Sequence, residues 1–139
     1  MFRSILAAAF LTLALLAPRA DAQTVAEADA IENTIRSQID AIQADNWEQA
    51  FTFASPTIQG IFKSPYNFSE MVKRGYPMVW RPKDVRTGAL IVTPRGLMQT
   101  MIFVDQQGRL YIADYLMQEI DGEWRINGVH IRPAETGEA

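Results

Sequence analysis

The sequence predicts an α+β fold, with N-terminal helices packed on a curved antiparallel sheet of about four or five strands. Three observations carry that reading. Apolar residues recur at helical spacing up to residue 75. From Met78 onward the apolar period is two. Turn signals at Thr93-Pro94-Arg95-Gly96, at 105–108 and at Asp121-Gly122 then divide the second half into hairpins. Helices first and a meander second place the helices on one face of one sheet.

The first helix is expected to start at Thr24, whose side chain and that of Glu27 form a capping-box pair. Ile31, Ile35, Ile39 and Ile42 follow at spacings of four, four and three, a single stripe. Asp45 and Glu48 repeat the capping pattern ahead of Trp47, Ala50, Phe51 and Ala54. Ser55-Pro56 starts a short third helix with Ile58, Ile61 and Phe62, weakened by Gly60. Ser64-Pro65 starts a fourth, whose face is Phe68, Met71 and Val72 and whose end is marked by Gly75 and Pro77.

Val79 to Arg81 reads as a short extended piece stopped by Pro82. Strands are expected at 85–92, 97–104, 110–120 and 124–131. The second is apolar on both faces, as a covered central strand would be. Asp121-Gly122 suits a type I′ hairpin, which needs positive φ at both positions. The segment 134–139 is small and polar and is expected to fray.

The N-terminus carries a different message. Arg3 precedes an apolar run from Ile5 to Ala17, broken only by Thr12, and Ala20-Asp21-Ala22 offers small residues at a cut. This is the layout of a secretory signal peptide over residues 1–22, cleaved after Ala22. The run is 13 residues long and Pro18 ends it, whereas a spanning helix needs about 20. The mature chain is therefore expected to be exported, periplasmic or secreted, with no membrane segment after processing. It would be one domain over 23–133.

Without residues 1–22 the chain keeps 117 of its 139 residues, enough for one core. There are no cysteines, which excludes disulfides, thiol chemistry and thiolate metal sites. The net charge is −3 for the full chain, and loss of Arg3, Arg19 and Asp21 leaves −4. An acidic domain argues against nonspecific nucleic-acid binding. Lys73, Arg74, Arg81, Lys83 and Arg86 cluster locally. They read as a solvated face, with Arg74 and Arg81 as the candidates for an anion-attracting rim.

Several stretches together resemble a known family. They are Ile42 to Pro56 (IQADNWEQAFTFASP), Met71 to Pro77 (MVKRGYP), Trp80-Arg81-Pro82, and Asp121 to Ile126 (DGEWRI). In this order they are similar to the bacterial domain-of-unknown-function family 4864, over about residues 31–133. The resemblance implies a cone-shaped fold like that of nuclear transport factor 2 and the SnoaL-like polyketide cyclases, in which sheet and helices enclose a pocket. The family has no established activity, so the resemblance implies no catalytic residue.

The residues offer few candidates for chemistry. His130 is the only histidine. Strict alternation would set it beside Trp124 and Ile126 on a pocket face. A bulge at Gly128 would instead turn Val129 and Ile131 inward and His130 outward, and this version buries more apolar surface. Asp114 stands among Leu110, Ile112, Leu116 and Ile120. Desolvation there would suit a general base, while pairing with an arginine such as Arg125 would make it structural. Tyr76, Trp80, Tyr111, Tyr115 and Trp124 are pocket-lining candidates if they are not plain core.

One histidine and no cysteine argue against a metal site, and no phosphate loop or nucleophile elbow is present. Asn67-Phe68-Ser69 matches a glycosylation acceptor in form. No cofactor is expected. The sequence favours a non-catalytic domain that binds a small apolar ligand or associates, with a homodimer through the sheet face as one form of association. The alternative is a small isomerase or cyclase acting on an apolar substrate with Asp114 as base.

Overall fold

The computed structural model describes residues 20–135, with side chains from Val25 to Glu135. The expected signal segment up to residue 19, and residues 136–139, lie outside the described residues. Among the described residues five helices precede four strands: α1 (Ala20–Gln43), α2 (Trp47–Thr52), α3 (Pro56–Phe62), α4 (Pro65–Gly75), α5 (Pro77–Trp80), β1 (Asp84–Thr93), β2 (Gly96–Val104), β3 (Leu110–Ile120) and β4 (Glu123–Pro133). The strands form one antiparallel sheet in the order β1-β2-β3-β4. The α+β class and the meander stand as read from the sequence.

The isoleucine stripe organises the core. Ile31, Ile35, Ile39 and Ile42 are all buried, with Ile31 and Ile35 fully enclosed. They belong to one cluster with Met101, Phe103, Ala113, Tyr115, Met117 and Ile126 from the sheet. Complete burial of such a side chain contributes about 1.5–3 kcal/mol.

Several helix boundaries follow local chemistry. Ser55 and Ser64 cap α3 and α4 by accepting from the N–H groups of Ile58 and Asn67, each followed by proline in the first turn. Three expectations are corrected. The helix α1 begins at Ala20, not Thr24, because Ala20 to Gln23 contains strong helix formers and neither glycine nor proline. Asn46 caps α2, not Asp45, which has φ 57° and sits in the preceding turn. The segment 77–80 is one helical turn rather than extended, since Pro77 at its start presets helical φ.

The hairpin at Asp121-Gly122 is as expected, both residues having positive φ. The covered-strand expectation for residues 97–104 holds on one face only. Gln99, Met101 and Phe103 are buried toward the helices, while Met98, Thr100 and Ile102 are half-buried on the other side. The tail is tied one residue further than expected, because the Ala134 N–H donates to the Leu110 carbonyl at 2.9 Å.

The strand β4 carries one extra residue. Leu116 pairs with Gly128 but Met117 pairs with Ile126, so Asn127 is unpaired with β3. The bulged Asn127 side chain accepts from the Ser55 hydroxyl at 2.7 Å. Backbone bonds tie the same region: the Ser55 N–H donates to the Ile126 carbonyl, and the Ile126 N–H to the Phe53 carbonyl. The segment before α3 thus covers part of the β4 edge. At the other edge, β1 slips register between Thr87 and Leu90. There the Gln99 amide donates to the Gly88 and Ala89 carbonyls at 2.9 and 3.2 Å.

The packing makes a direct prediction. Ile35→Ala should lower the unfolding free energy by about 2–5 kcal/mol in urea titrations. Ile35→Asp should give no cooperative transition, because a carboxylate would be buried with no partner.

Candidate functional site

Alternation and the Asn127 bulge together decide what faces the helices. On β3, Tyr111, Ala113, Tyr115 and Met117 lie on the helix side, and Leu110, Ile112, Asp114 and Leu116 on the other. Past the bulge, Val129 and Ile131 pair with Tyr115 and Ala113, so they face the helices and His130 faces away. The facing expected of a bulge is observed, with the extra residue at Asn127 rather than at Gly128, which pairs with Leu116.

Between the helix layer and the β3–β4 half of the sheet lies a cavity of about 290 Å³. Its walls are chiefly apolar: Ile42 from α1, Ile58 and Phe62 from α3, Phe68 and Met71 from α4, and Val129 and Ile131 from β4. Three polar side chains, Gln38, Tyr76 and Tyr115, also line it. Gln38 sits within the isoleucine stripe, buried, and donates one amide N–H to the Ala50 carbonyl at 3.2 Å.

Tyr115 is 2% exposed, and its hydroxyl has no hydrogen-bond partner among the described residues. No sealed-off polar side-chain atom among them lacks a partner, so this oxygen opens onto the cavity. Burial pushes the phenol pKa well above its ordinary value, so the group is a neutral donor at any physiological pH.

The other sequence candidates are placed elsewhere. Trp80, Tyr111 and Trp124 do not line this cavity. Tyr111 and Trp124 pack against the core as half-buried residues. Trp80 belongs to a clasp between the end of α1 and α5. Its indole N–H donates to Asp45 at 2.8 Å, and Arg81 stacks on its ring at 4.4 Å while bonding both Asp45 oxygens. Lys73 lies 5.4 Å from both the Trp47 and the Trp80 ring centres.

The candidate anion rim is internally neutralised. Arg74 pairs with Glu70, Arg81 with Asp45 and Arg86 with Asp84, each at 3.0 Å. Spacing along the chain showed the clustered cations but not their partners.

Asp114 and His130 come together on the outer sheet face. They are ladder partners, and the Thr100 hydroxyl, in the next strand, donates to Asp114 at 2.9 Å. Both line an open groove of about 580 Å³ with Arg95, Met98 and Leu116. Arg125 is not the partner of Asp114. It bonds Glu123 at 2.7 Å and the Thr52 carbonyl. No tyrosine lines the groove and Asp114 does not line the inner cavity, so the pairing of an aspartate base with a phenol donor in one enclosed space is not assembled.

Among the described residues no group of three or more His, Cys, Asp or Glu side chains is placed to hold a metal ion. No helix among them is long and apolar enough to cross a membrane.

The family model described as "Domain of unknown function (DUF4864)" matches residues 24–139. The chain belongs to that family. No curated protein matches this DUF4864 chain, so the cavity has to be read from its own residues. Gln38 is the lining residue that the sequence could have flagged, a polar side chain on an otherwise isoleucine stripe. The α3 residues could not be flagged, because their spacing alone does not show which face meets the cavity.

The clasp has a pH consequence. The Trp80 indole N–H, and after it the Arg81 guanidinium, hold the Asp45 carboxyl below its ordinary value. A depressed folded-state pKa contributes stability above the unfolded value, near 4, which is lost as pH falls through the folded value. Asp45→Asn should therefore flatten the dependence of Tm on pH below about pH 4, measured by thermal melts across the acid range.

Proposed function

We propose that this chain is an exported, non-catalytic domain that binds a small apolar ligand between its helices and its sheet. The observation that carries the reading is the apolar cavity with a single fully buried phenol on its wall. An engineered cavity of about 150 Å³ takes one benzene ring. A space of about 290 Å³ suits a molecule roughly twice that size. Buried pockets with few polar groups are the usual form of small-molecule sites. A largely apolar space between helices and an antiparallel sheet also supports the comparison with the nuclear transport factor 2 cone.

Export is supported by the charged start, the apolar run and the Ala20-Asp21-Ala22 site. The family match begins at residue 24, one past the expected mature start at Gln23. Cleavage after Ala22 would shorten α1 by its first three residues and leave the isoleucine stripe whole.

A second reading, homodimerisation through the outer sheet face, is favoured by one observation. All five helices pack on the other side, leaving Met98, Ile102, Leu110 and Leu116 half-buried and Ile91 44% exposed.

One preparation tests these readings. Protein purified natively from the producing cell should begin at Gln23 by N-terminal sequencing. Mass spectrometry should find an apolar small molecule that leaves on denaturation. Ile58→Trp, which places an indole in the cavity wall, should fold but carry none of it. A wild-type protein with an empty cavity after native purification would overturn the binding reading, and an uncleaved N-terminus would overturn export. Sedimentation velocity on the same material decides the dimer, since a single monomeric species at all concentrations would end it.

A further inference from the structure

We infer that the cavity selects apolar molecules bearing one hydrogen-bond acceptor, a ketone, aldehyde or ether oxygen, which accepts from the Tyr115 hydroxyl. The inference rests on the binding reading above and specifies its ligand class.

Tyr115 sits in the middle of β3, with Gln99 of β2 and Val129 of β4 as its ladder partners. It is fully enclosed and fills space that phenylalanine would fill as well. The single atom by which the two differ has no partner in the described protein. That oxygen is reached from the cavity, and a ligand that covers it without offering an acceptor would cost it its hydrogen bond. A bound molecule with an acceptor oxygen avoids that cost.

The surroundings decide the rest of the ligand. Most of the wall is apolar, with Ile42, Val72, Val79 and Ile126 belonging both to the cavity lining and to the buried core, and Gln38 and Tyr76 are the other polar side chains on it. Among the described residues no carboxylate, lysine, arginine or histidine lines the cavity. A charged ligand would enter with no counterion, at a high desolvation cost. An acid, an amine or a phosphate is therefore disfavoured, and a neutral oxygen is favoured. The phenol is neutral, its pKa raised by burial, so it donates and does not demand a cation.

The size limit and the acceptor requirement together define a matched pair of probes. 1-Tetralone is bicyclic with one ketone oxygen. Tetralin is the same skeleton without it. Binding of each to wild type and to Tyr115→Phe is measured by calorimetry on protein stripped of endogenous ligand. Wild type should prefer 1-tetralone, and Tyr115→Phe should reduce 1-tetralone affinity by about three- to tenfold while tetralin affinity stays unchanged.

The carbonyl stretch of bound 1-tetralone gives an independent readout. It should move to lower frequency in wild type relative to a hydrocarbon solvent, which remains informative if Tyr115→Phe does not fold. Equal affinity of 1-tetralone for wild type and Tyr115→Phe, or an unshifted carbonyl, would overturn the acceptor inference and leave the cavity reading standing. Failure of both probes to bind wild type would overturn both.

Discussion

The arrangement of this molecule depends on a single unpaired residue in its last strand. Side chains alternate across a sheet, so inserting one residue exchanges the faces of everything beyond it. Asn127 is that residue. Because of it, Trp124 and Ile126 before the bulge and Val129 and Ile131 after it all face the helices. Without it the strand would send His130 into an apolar space and two β-branched residues into water. The bulge is not left to itself: the Ser55 hydroxyl holds the Asn127 side chain while also capping α3. One serine thus couples the register of β4 to the position of the helix that walls the cavity.

The cavity is bounded by elements of very different length. The long helix α1 presses its isoleucines on the sheet and closes the core there. The elements α3, α4 and α5 are short, each begins with proline, and they change direction at Ser55, Ser64 and Tyr76. Such a chain of brief helices covers the β3–β4 half without filling it. The aromatic cluster around Phe68 then packs the corner between α2, α3 and α4, with Trp47 and Phe62 edge to face and Phe51 tilted. The Asp45, Trp80 and Arg81 clasp fixes α5 against the end of α1.

Much of the fold was legible in local chemistry. The isoleucine spacing, the two Ser-Pro starts and the Asp-Gly turn each act within a few residues, and each led to the element observed. The single turn at 77–80 was not legible, because the period of so short a segment is ambiguous and Pro77 is compatible with an end or a start. Asp45 reads as a cap from the sequence for a related reason. Asn46 beside it has the same capping chemistry, and only the backbone turn at Asp45 decides between them. At the site, aromatic character marks Tyr115 and Tyr76, whereas Trp80 is held by Asp45, distant in sequence, and Tyr111 and Trp124 pack on the core. The ladder pairing of Asp114 with His130 depends on a bulge, and a bulge can be suspected from a glycine but not located by it.

The two ends of the sheet close the account. A strand at an open margin offers unmet N–H and C=O groups to any passing chain. Here β4 is shielded by Phe53 and Ser55 through Ile126, and β1 is bent by its register slip, with the Gln99 amide holding the carbonyls at the slip. Lys83, Asp84 and Arg86 add charge where β1 begins. A strand borrowed from a neighbour would meet an obstacle at each of these places, set without a single disulfide.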